Sequence, residues 1–236
     1  MKALIFAAGF GNRMRPLTEH TPKPLLPVAD KPLIVWHLEK LAALGIRDVV
    51  INTSWLAEQF PHALGDGAHW GLHLHYLYEG PVPLETGGGM LNALTLLGDA
   101  PFLLVNGDIW TDFDFTRLPP TMPESWAHLV MVDPPAYATQ GNFVLSSDGY
   151  LQEDGAPMLT YSGIGLYRPE LLIDWQSIAD TAQAGPGKPS FRLAPILRAH
   201  MAFKRITGQH HRGHWTDVGT PERLAQLEQS LHGTCT

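Results

Sequence analysis

The chain has 236 residues, of which 44% are hydrophobic, so it is long and apolar enough for one sizeable packed core. Its formal net charge of -7 at pH 7 argues against nucleic acid as a partner and requires any phosphate binding to be local. The single cysteine, Cys235, excludes an intramolecular disulfide and fits a reducing compartment. No apolar run approaches the ~18 residues of a membrane span and no leader pattern follows Met1, so we expect a cytoplasmic chain without a membrane partner.

Strand-like and helix-like patterns alternate through the first half of the chain. We predict strands over residues 2–8, 49–52, 72–77 and 101–105 and helices over residues 32–44 and 88–97, with another helix that starts near Trp55 and is capped by Ser54. The alternation predicts an α/β fold with a Rossmann-like, mixed but mainly parallel sheet flanked by helices. Such sheets bind their ligands beyond the carboxyl ends of the strands.

The pattern in the second half is less regular. We predict strands over residues 127–132, 142–145 and 159–167, an exposed loop over residues 182–190, and helices over residues 191–201 and 221–231. Thr220 is positioned to cap the last helix, with Pro221 at its first position. Because there is no internal repeat and no evident linker, we expect residues 1–236 to form one domain.

A glycine-rich turn with cationic neighbours follows the first predicted strand. Residues 7–13 read Ala-Ala-Gly-Phe-Gly-Asn-Arg, and Gly9 and Gly11 let the backbone approach a ligand that a Cβ would block. Successive N–H groups in such a turn form a concavity that binds anions. The nearby cations are Arg13, Arg15 and Lys23. The sequence therefore predicts a polyphosphate site at the end of the first strand.

Three other interpretations of this turn fit the sequence less well. A dinucleotide-binding loop needs a third glycine where this chain has Met14, and the spacing of a P-loop is absent. A turn without function is common for Gly-x-Gly alone. The combination with Arg13, with Pro-Leu-Thr at residues 16–18 and with Pro-Lys-Pro at residues 22–24 favours the phosphate site.

These segments resemble the sugar-1-phosphate nucleotidylyltransferases, whose pattern is roughly AAGxGxR(L/M)xPLT…PKPLxPV. Phe6 and Asn12 depart from the usual residues, and neither change removes a phosphate ligand. The resemblance continues at residues 85–89 (ETGGG), 105–108 (VNGD), 161–164 (YSGI) and 215–220 (WTDVGT), and so spans almost the whole chain. It implies the nucleotidyltransferase fold, with a nucleotide-binding half at about residues 1–110 and a sugar-binding half at about residues 111–236.

The resemblance also implies the reaction, in which a sugar 1-phosphate attacks the α-phosphorus of a nucleoside triphosphate and pyrophosphate leaves. Arg13, Lys23 and Asp108 are the implied catalytic residues, since phosphoryl transfer depends on positioning and charge. Asp108 ends an apolar strand, and Asp217 lies between Trp215 and Gly219. Two carboxylates that converge on phosphates form a Mg²⁺ site, although either residue alone is also typical of a turn.

The nucleotide-binding residues implied by the family motifs lie mostly in the first half. They are Ala8, Gly9, Gly11, Asn12, Arg13, Lys23, Glu79, Gly88 and Asn106. Backbone groups at Ala8, Gly9 and Gly88 are candidates to pair with uracil, and Glu79 is a candidate acceptor for the base N–H. Glu79 could equally be a solvated loop residue, and a carboxylate could also accept from guanine.

The candidate sugar contacts lie mostly in the second half. They are Asn106, Gly141, Asn142, Glu153, Tyr161, Ser162, Gly163 and Trp215. Trp215 could instead fill the core. Many relatives have a Glu-Lys-Pro segment whose lysine contacts the sugar phosphate, but residues 153–155 read Glu-Asp-Gly here. Arg192 or Lys188 could replace that lysine.

The short length and residues 84–89 and 213–220 are most similar to the branch of the family that acts on N-acetylmuramate 1-phosphate with UTP, in cell-wall recycling. A mannose-1-phosphate guanylyltransferase is the alternative within the family. A regulatory protein that binds nucleotide sugars without turnover is the alternative outside the enzymes, and the presence of all of Arg13, Lys23, Asp108 and Asp217 argues against it. The partners are then small-molecule substrates, and the sequence fits a monomer or a dimer.

Overall fold

A computed structural model describes residues 1–180, 182–185 and 187–233, so Cys235 lies outside the described part. The strands are β1 (Lys2–Phe6), β2 (Pro27–Val28), β3 (Lys31–Pro32), β4 (Asp48–Thr53), β5 (His73–Tyr78), β6 (Phe102–Asn106), β7 (Ile109–Thr111), β8 (Ala127–Val132), β9 (Phe143–Leu145), β10 (Leu151–Gln152), β11 (Met158–Tyr167), β12 (Ala182–Gly185), β13 (Lys188–Ser190), β14 (Ile206–His210) and β15 (Trp215–Asp217). The α-helices are α1 (Leu33–Ala43), α2 (Gln59–Leu64), α3 (Glu85–Leu97), α4 (Trp175–Ile178), α5 (Leu193–Met201) and α6 (Pro221–Gly233). Short 3-10 helices cover Asn12–Met14, Leu17–Glu19, Lys23–Leu25, Ala68–Trp70, Phe115–Arg117 and Pro169–Leu172.

The central sheet has nine strands and is mixed, and the first half of the chain forms its block of four parallel strands. Strands β5, β4, β1 and β6 run parallel in that order, and β11 continues the sheet antiparallel to β6. The other edge of β11 pairs with β8, which pairs with β14, while the start of β11 pairs with β9 and then β10. This confirms the predicted α/β class and the mainly parallel sheet.

Strand β1 is central because it is buried on both faces. Ala3 and Ile5 pack on the side of α1, and Leu4 packs on the opposite side with residues of α3 and α5. Alternate side chains of a strand point to opposite faces, so an unbroken apolar run suits a strand between two layers of helices. None of the helices within the described residues has the length and apolar character to span a membrane.

Three local expectations were wrong. Ser54 caps no helix, because its Oγ donates to the carbonyl oxygen of Gly80 at 2.7 Å and the next helix is α2. Helix α3 starts three residues before the predicted Gly88. The predicted loop at residues 182–190 contains the β12–β13 hairpin within its described residues. The predicted cap on α6 is confirmed, since the Arg223 N–H donates to Thr220 Oγ1 at 3.4 Å.

A turn and a strand pair bring distant segments to the carboxyl edge of the parallel strands. Gly107 follows β6, and its N–H donates to the Phe6 carbonyl at the end of β1, at 2.9 Å. A Cβ on Gly107 would lie 2.7 Å from that carbonyl oxygen, so only glycine permits the approach. Strand β7 then pairs antiparallel with β15, which carries the C-terminal segment to the same edge.

Candidate active site

Three adjoining cavities form one cleft along this edge. The loop cavity lies between the glycine-rich turn and the Lys23 segment, the central cavity lies between β1 and α3, and the helix cavity runs along α5. Phe6 lines all three cavities. Gly9 and Asp108 line both the loop and central cavities, and Thr86 and Asn106 line both the central and helix cavities. The predicted site at the end of the first strand is therefore a real concavity.

The glycine-rich turn has a fixed conformation. Gly11 has a φ of +66°, and its carbonyl accepts from Met14 N and from Thr18 Oγ1, both at 2.8 Å. Met14 is buried, whereas Asn12 and Arg13 are exposed and line the loop cavity. Within the described residues, no hydrogen bond or ion pair involves the Arg13 guanidinium. The turn therefore presents a cation and backbone groups toward the cavity while its own shape is held by the core.

Lys23 and Asp108 form an ion pair at the centre of the cleft. Lys23 Nζ lies 2.6 Å from Asp108 Oδ2, and both residues line the loop cavity. Lys23 is only 7% exposed, while 39% of the Asp108 side chain is exposed. The ammonium is therefore held rigidly by the protein, and the carboxylate remains open to ligands from the cleft.

The strand pair β7–β15 places Asp217 next to Asp108 in the fold. Asp217 is the register partner of Ile109, and Val218 N donates to the Asp108 carbonyl at 2.9 Å. The Asp217 carboxylate accepts hydrogen bonds from Arg223 and from the hydroxyl of Tyr137. Each of the two carboxylates is thus balanced by one cation of the chain.

The donor chemistry of this pair fits a hard divalent cation. Mg²⁺ prefers oxygen ligands and usually takes only one or two carboxylates, with waters and substrate phosphates for the rest. Within the described residues no cluster of three or more His, Cys, Asp or Glu side chains could hold a metal alone. Asp108 and Asp217 could therefore hold a metal that arrives with a phosphate ligand, and a closed structural metal site is not formed here.

Glu79 is buried, so its interpretation as a solvated loop residue is wrong. Its Oε1 accepts from Asn52 Nδ2 at 2.8 Å, and its Oε2 accepts from Leu84 N at 2.9 Å. Asn52 Oδ1 in turn accepts from Ala7 N at 2.7 Å. Burial raises the pKa of the Glu79 carboxyl above its ordinary value. Glu79 lines the central cavity and links it through Asn52 to the start of the glycine-rich turn.

Gly88 does not present its N–H to the cleft, which corrects its predicted role in pairing with a base. That N–H donates to the Phe191 carbonyl at 3.1 Å, and a Cβ would lie 2.4 Å from the Pro189 oxygen. Gly88 therefore serves the packing of α3 against the segment before α5. Glu85 and Thr86, one turn earlier, line the central cavity instead.

Asn106, Asn142 and Tyr161 are the predicted sugar contacts that line the helix cavity. Asn142 is held in place by hydrogen bonds of its backbone and of its side chain. Its N–H donates to the Leu159 carbonyl at 2.7 Å, and its Oδ1 accepts from Tyr161 N at 2.8 Å. Gly141 permits this arrangement from behind the cavity, because a Cβ there would lie 2.7 Å from the Leu159 oxygen.

Ser162, Gly163 and Trp215 form a layer behind Asn106 and do not line the helix cavity, so in this structure they support a lining residue. Gly163 has a φ of +83°, and a Cβ would lie 2.6 Å from Asn106 Nδ2. Ser162 is 1% exposed and its Oγ accepts from Ile164 N at 3.2 Å. Trp215 Nε1 donates to the Ser162 carbonyl at 2.8 Å. This layer positions Asn106 at the junction of two cavities.

Glu153, another predicted sugar contact, also lies outside the helix cavity. Its Oε1 is 3.0 Å from Arg198 Nε, and it is Arg198 that lines the cavity. Neither proposed replacement for the missing family lysine lines a cavity of the cleft. Lys188 Nζ donates to the Tyr78 carbonyl at 3.2 Å, and Arg192, with 78% of its side chain exposed, faces Glu85 at 3.9 Å.

Several residues that line the cleft were not predicted to contact a ligand, among them Phe6, Thr86 and Arg198. Phe6 and Thr86 lie inside segments that carry the family resemblance, and that position was an available signal. Arg198 lies in the last turn of α5, where a basic residue is ordinary, so the sequence offered no signal for it.

Comparison with known proteins identifies the family of this chain. The family model for nucleotidyl transferases matches residues 2–148. An N-acetylmuramate alpha-1-phosphate uridylyltransferase from Neisseria meningitidis serogroup B is 47% identical over 99% of this chain and 99% of its own length. A protein of the same name from Caulobacter vibrioides is 31% identical over 97% of this chain and 96% of its own length.

A solved structure supports the fold at lower identity. A UDP-glucose pyrophosphorylase complexed with UDP-glucose superposes with a TM-score of 0.74 at 19% identity, covering 99% of this chain and 98% of that one. The family match spans more than half of the chain, and the two relatives align over nearly all of it. The chain therefore belongs to the nucleotidyl transferase family.

Proposed function

We propose that this chain joins N-acetylmuramate 1-phosphate to UTP, giving the UDP-sugar and pyrophosphate, with Mg²⁺ as the cofactor. One observation carries the proposal. The chain aligns end to end, at 47% identity, with a protein named for this activity, and its cleft holds Arg13, Lys23 and Asp108 around one cavity. We place the reaction in the cytoplasm, where nucleoside triphosphates and reduced thiols coexist.

The loop cavity suits the triphosphate. Backbone groups of the glycine-rich turn and the Arg13 guanidinium face it from one side, and Lys23 faces it from the other. An oxygen of the sugar phosphate attacks the α-phosphorus, a new P–O bond forms, and the bond to the β-phosphate breaks as pyrophosphate leaves. Arg13 offsets the charge of the leaving pyrophosphate, and Lys23 neutralises the α-phosphate and aligns the attacking oxygen.

Asp108 and Asp217 are the residues that would hold Mg²⁺. When bound, the metal supplies positive charge to the phosphate oxygens. The protein contributes no nucleophile, because the attacking group belongs to the substrate. Its catalytic contribution is the fixed position of two cations and two carboxylates around the reacting phosphates.

The remaining cavities suit the base and the sugar. The central cavity contains the backbone of Ala8 and Gly9 and the buried Glu79, which is placed to fix groups that pair with a base. The helix cavity contains Asn142, and Asn106 faces both cavities. We assign the base to the central cavity and the sugar to the helix cavity, so the two substrates meet beside Asp108.

A substrate matrix tests the proposal. UTP, GTP, dTTP and CTP are each paired with the 1-phosphates of N-acetylmuramate, N-acetylglucosamine, glucose and mannose, and pyrophosphate release is measured with purified protein and Mg²⁺. We expect the highest kcat/KM for UTP with N-acetylmuramate 1-phosphate. Preference for GTP with mannose 1-phosphate would replace this function with guanylyl transfer. Binding without turnover in every pair would replace it with a regulatory role.

A further inference from the structure

In the part of the chain that the structure describes, a single charged side chain lines the helix cavity. Its wall is otherwise apolar or neutral and consists of Phe6, Leu104, Phe143, Leu193, Ala194 and Leu197 together with the polar residues Thr86, Asn106, Asn142 and Tyr161. Of the described residues, Arg198 is the only ionised one that lines it. A cavity with one cation and no facing carboxylate favours a ligand that carries a negative charge at that end.

The guanidinium of Arg198 is positioned from outside the cavity. Its Nε lies 3.0 Å from Glu153 Oε1, and its Cζ lies 5.7 Å from the centre of the Phe143 ring. Glu153 does not line the helix cavity. Within the described residues, no hydrogen bond uses the two terminal nitrogens of Arg198. A guanidinium held at one edge with its terminal donors unused is suited to accept a planar anion.

Two anions of the proposed sugar substrate could meet this arginine, namely its phosphate and its carboxylate. The phosphate must lie beside Asp108 and Lys23, where the α-phosphorus is attacked. Neither of those residues lines the helix cavity, and Phe6, Thr86 and Asn106 lie at the boundary between it and the central cavity. Arg198 therefore stands at the end of the cleft that is remote from the reacting phosphates.

N-acetylmuramate differs from N-acetylglucosamine only by a lactyl ether on O3, which adds one methyl group and one carboxylate. We propose that Arg198 binds this carboxylate and makes the enzyme selective for the muramate sugar. Leu193 and Leu197, five residues and one residue before Arg198, line the same cavity and supply an apolar wall for the methyl group. This inference rests on the proposed function and adds the residue that distinguishes between two otherwise identical sugars.

The test compares the two sugars on three proteins. The proteins are the wild type, Arg198→Ala and the matched control Arg117→Ala. Each is titrated with N-acetylmuramate 1-phosphate and with N-acetylglucosamine 1-phosphate in the presence of a non-hydrolysable UTP analogue and Mg²⁺, and each Kd is measured calorimetrically. Arg117 is exposed and lines none of the three cavities. We expect Arg198→Ala to weaken binding of the muramate sugar by about 10- to 100-fold, the effect of losing a charged hydrogen bond. Binding of the glucosamine sugar should change by less than about twofold, and the control should change neither.

Arg198→Lys keeps the charge but loses the planar fork, and so should give an intermediate loss for the muramate sugar only. This variant also serves if the alanine variant melts at a lower temperature. Equal losses for both sugars would assign Arg198 to the phosphate or to the fold and would overturn the inference, as would no loss for either. A wild type that turns over UTP with another sugar 1-phosphate but not with the muramate sugar would instead refute the proposed function.

Discussion

Replacing Lys23 by methionine separates the catalytic role of the Lys23–Asp108 pair from its structural role. Lys23 is 7% exposed, and methionine has a similar volume, so the apolar stem of the side chain is preserved. The substitution removes only the ammonium that lies 2.6 Å from Asp108 Oδ2. The loss of activity can then be compared directly with the loss of stability.

The two losses should be very different in size. Removing one preorganised electrostatic contact typically lowers kcat by about 10²–10³, which corresponds to roughly 3–4 kcal/mol of transition-state stabilisation. The structural loss should be about 1 kcal/mol, because the remaining Asp108 carboxylate is 39% exposed and can be solvated. In a chain of this length that corresponds to a Tm lower by about 2–4 °C.

Pyrophosphate release at saturating UTP and sugar 1-phosphate gives kcat, and differential scanning calorimetry gives Tm. Lys31→Met is the matched control, because Lys31 pairs with Glu39 away from the cleft and lines none of its three cavities. We expect the control to retain wild-type kcat. A Lys23→Met protein that folds normally and keeps kcat within about threefold of the wild type would refute the role of Lys23 in charge neutralisation.

Three further predictions follow from other parts of the structure. Burial lowers the pKa of His37 to about 4; in the unfolded chain this imidazole titrates near 6.5, so only the unfolded state takes up the proton between these values. The free energy of unfolding should therefore fall by about 3 kcal/mol as the pH drops through that window. Urea unfolding at pH 7 and pH 4.5 measures this fall, which should be smaller in His37→Gln than in the wild type. Gly163→Ala should lower kcat/KM at least about tenfold and also lower Tm, because its Cβ would meet the Asn106 side chain at 2.6 Å and its φ is +83°. Exhaustive treatment with a chelator should abolish pyrophosphate release, and added Mg²⁺ should restore it. The circular dichroism spectrum should not change, because Lys23 and Arg223 already balance the two carboxylates. A folding transition on chelation would contradict this prediction.

The parallel half of the fold could be predicted because local patterns determine it. The apolar run of β1 and its break into glycine directly predict a buried strand with a ligand site at its end, and the structure has the strand and a cavity at its end. Asp108 follows the apolar strand β6 in the same way, and it lies in the cleft as expected. Strands β1 and β6 are adjacent and parallel, so their carboxyl ends lie on the same edge of the sheet.

The second half could not be predicted to the same extent because its roles depend on pairing between distant segments. Ser162 and Gly163 lie in a segment with family resemblance, yet they act through Asn106, because the bulge in β11 brings Gly163 against that side chain. Glu153 lies next to Arg198 only because β10 packs beside α5. A sequence without an alignment shows which residues could bind a ligand, but it does not show which of them reach the cavity and which support a neighbour.

The proposed function requires the glycine-rich turn, Lys23 and two distant aspartates to surround one metal-bound polyphosphate. A crystal grown with the UDP-sugar product and Mn²⁺, which scatters anomalously where Mg²⁺ does not, locates that metal directly. We expect one anomalous peak within coordination distance of carboxylate oxygens from both Asp108 and Asp217, with the diphosphate extending from it toward Gly11 and Arg13. A peak away from either aspartate, or a diphosphate bound outside the loop cavity, would contradict it.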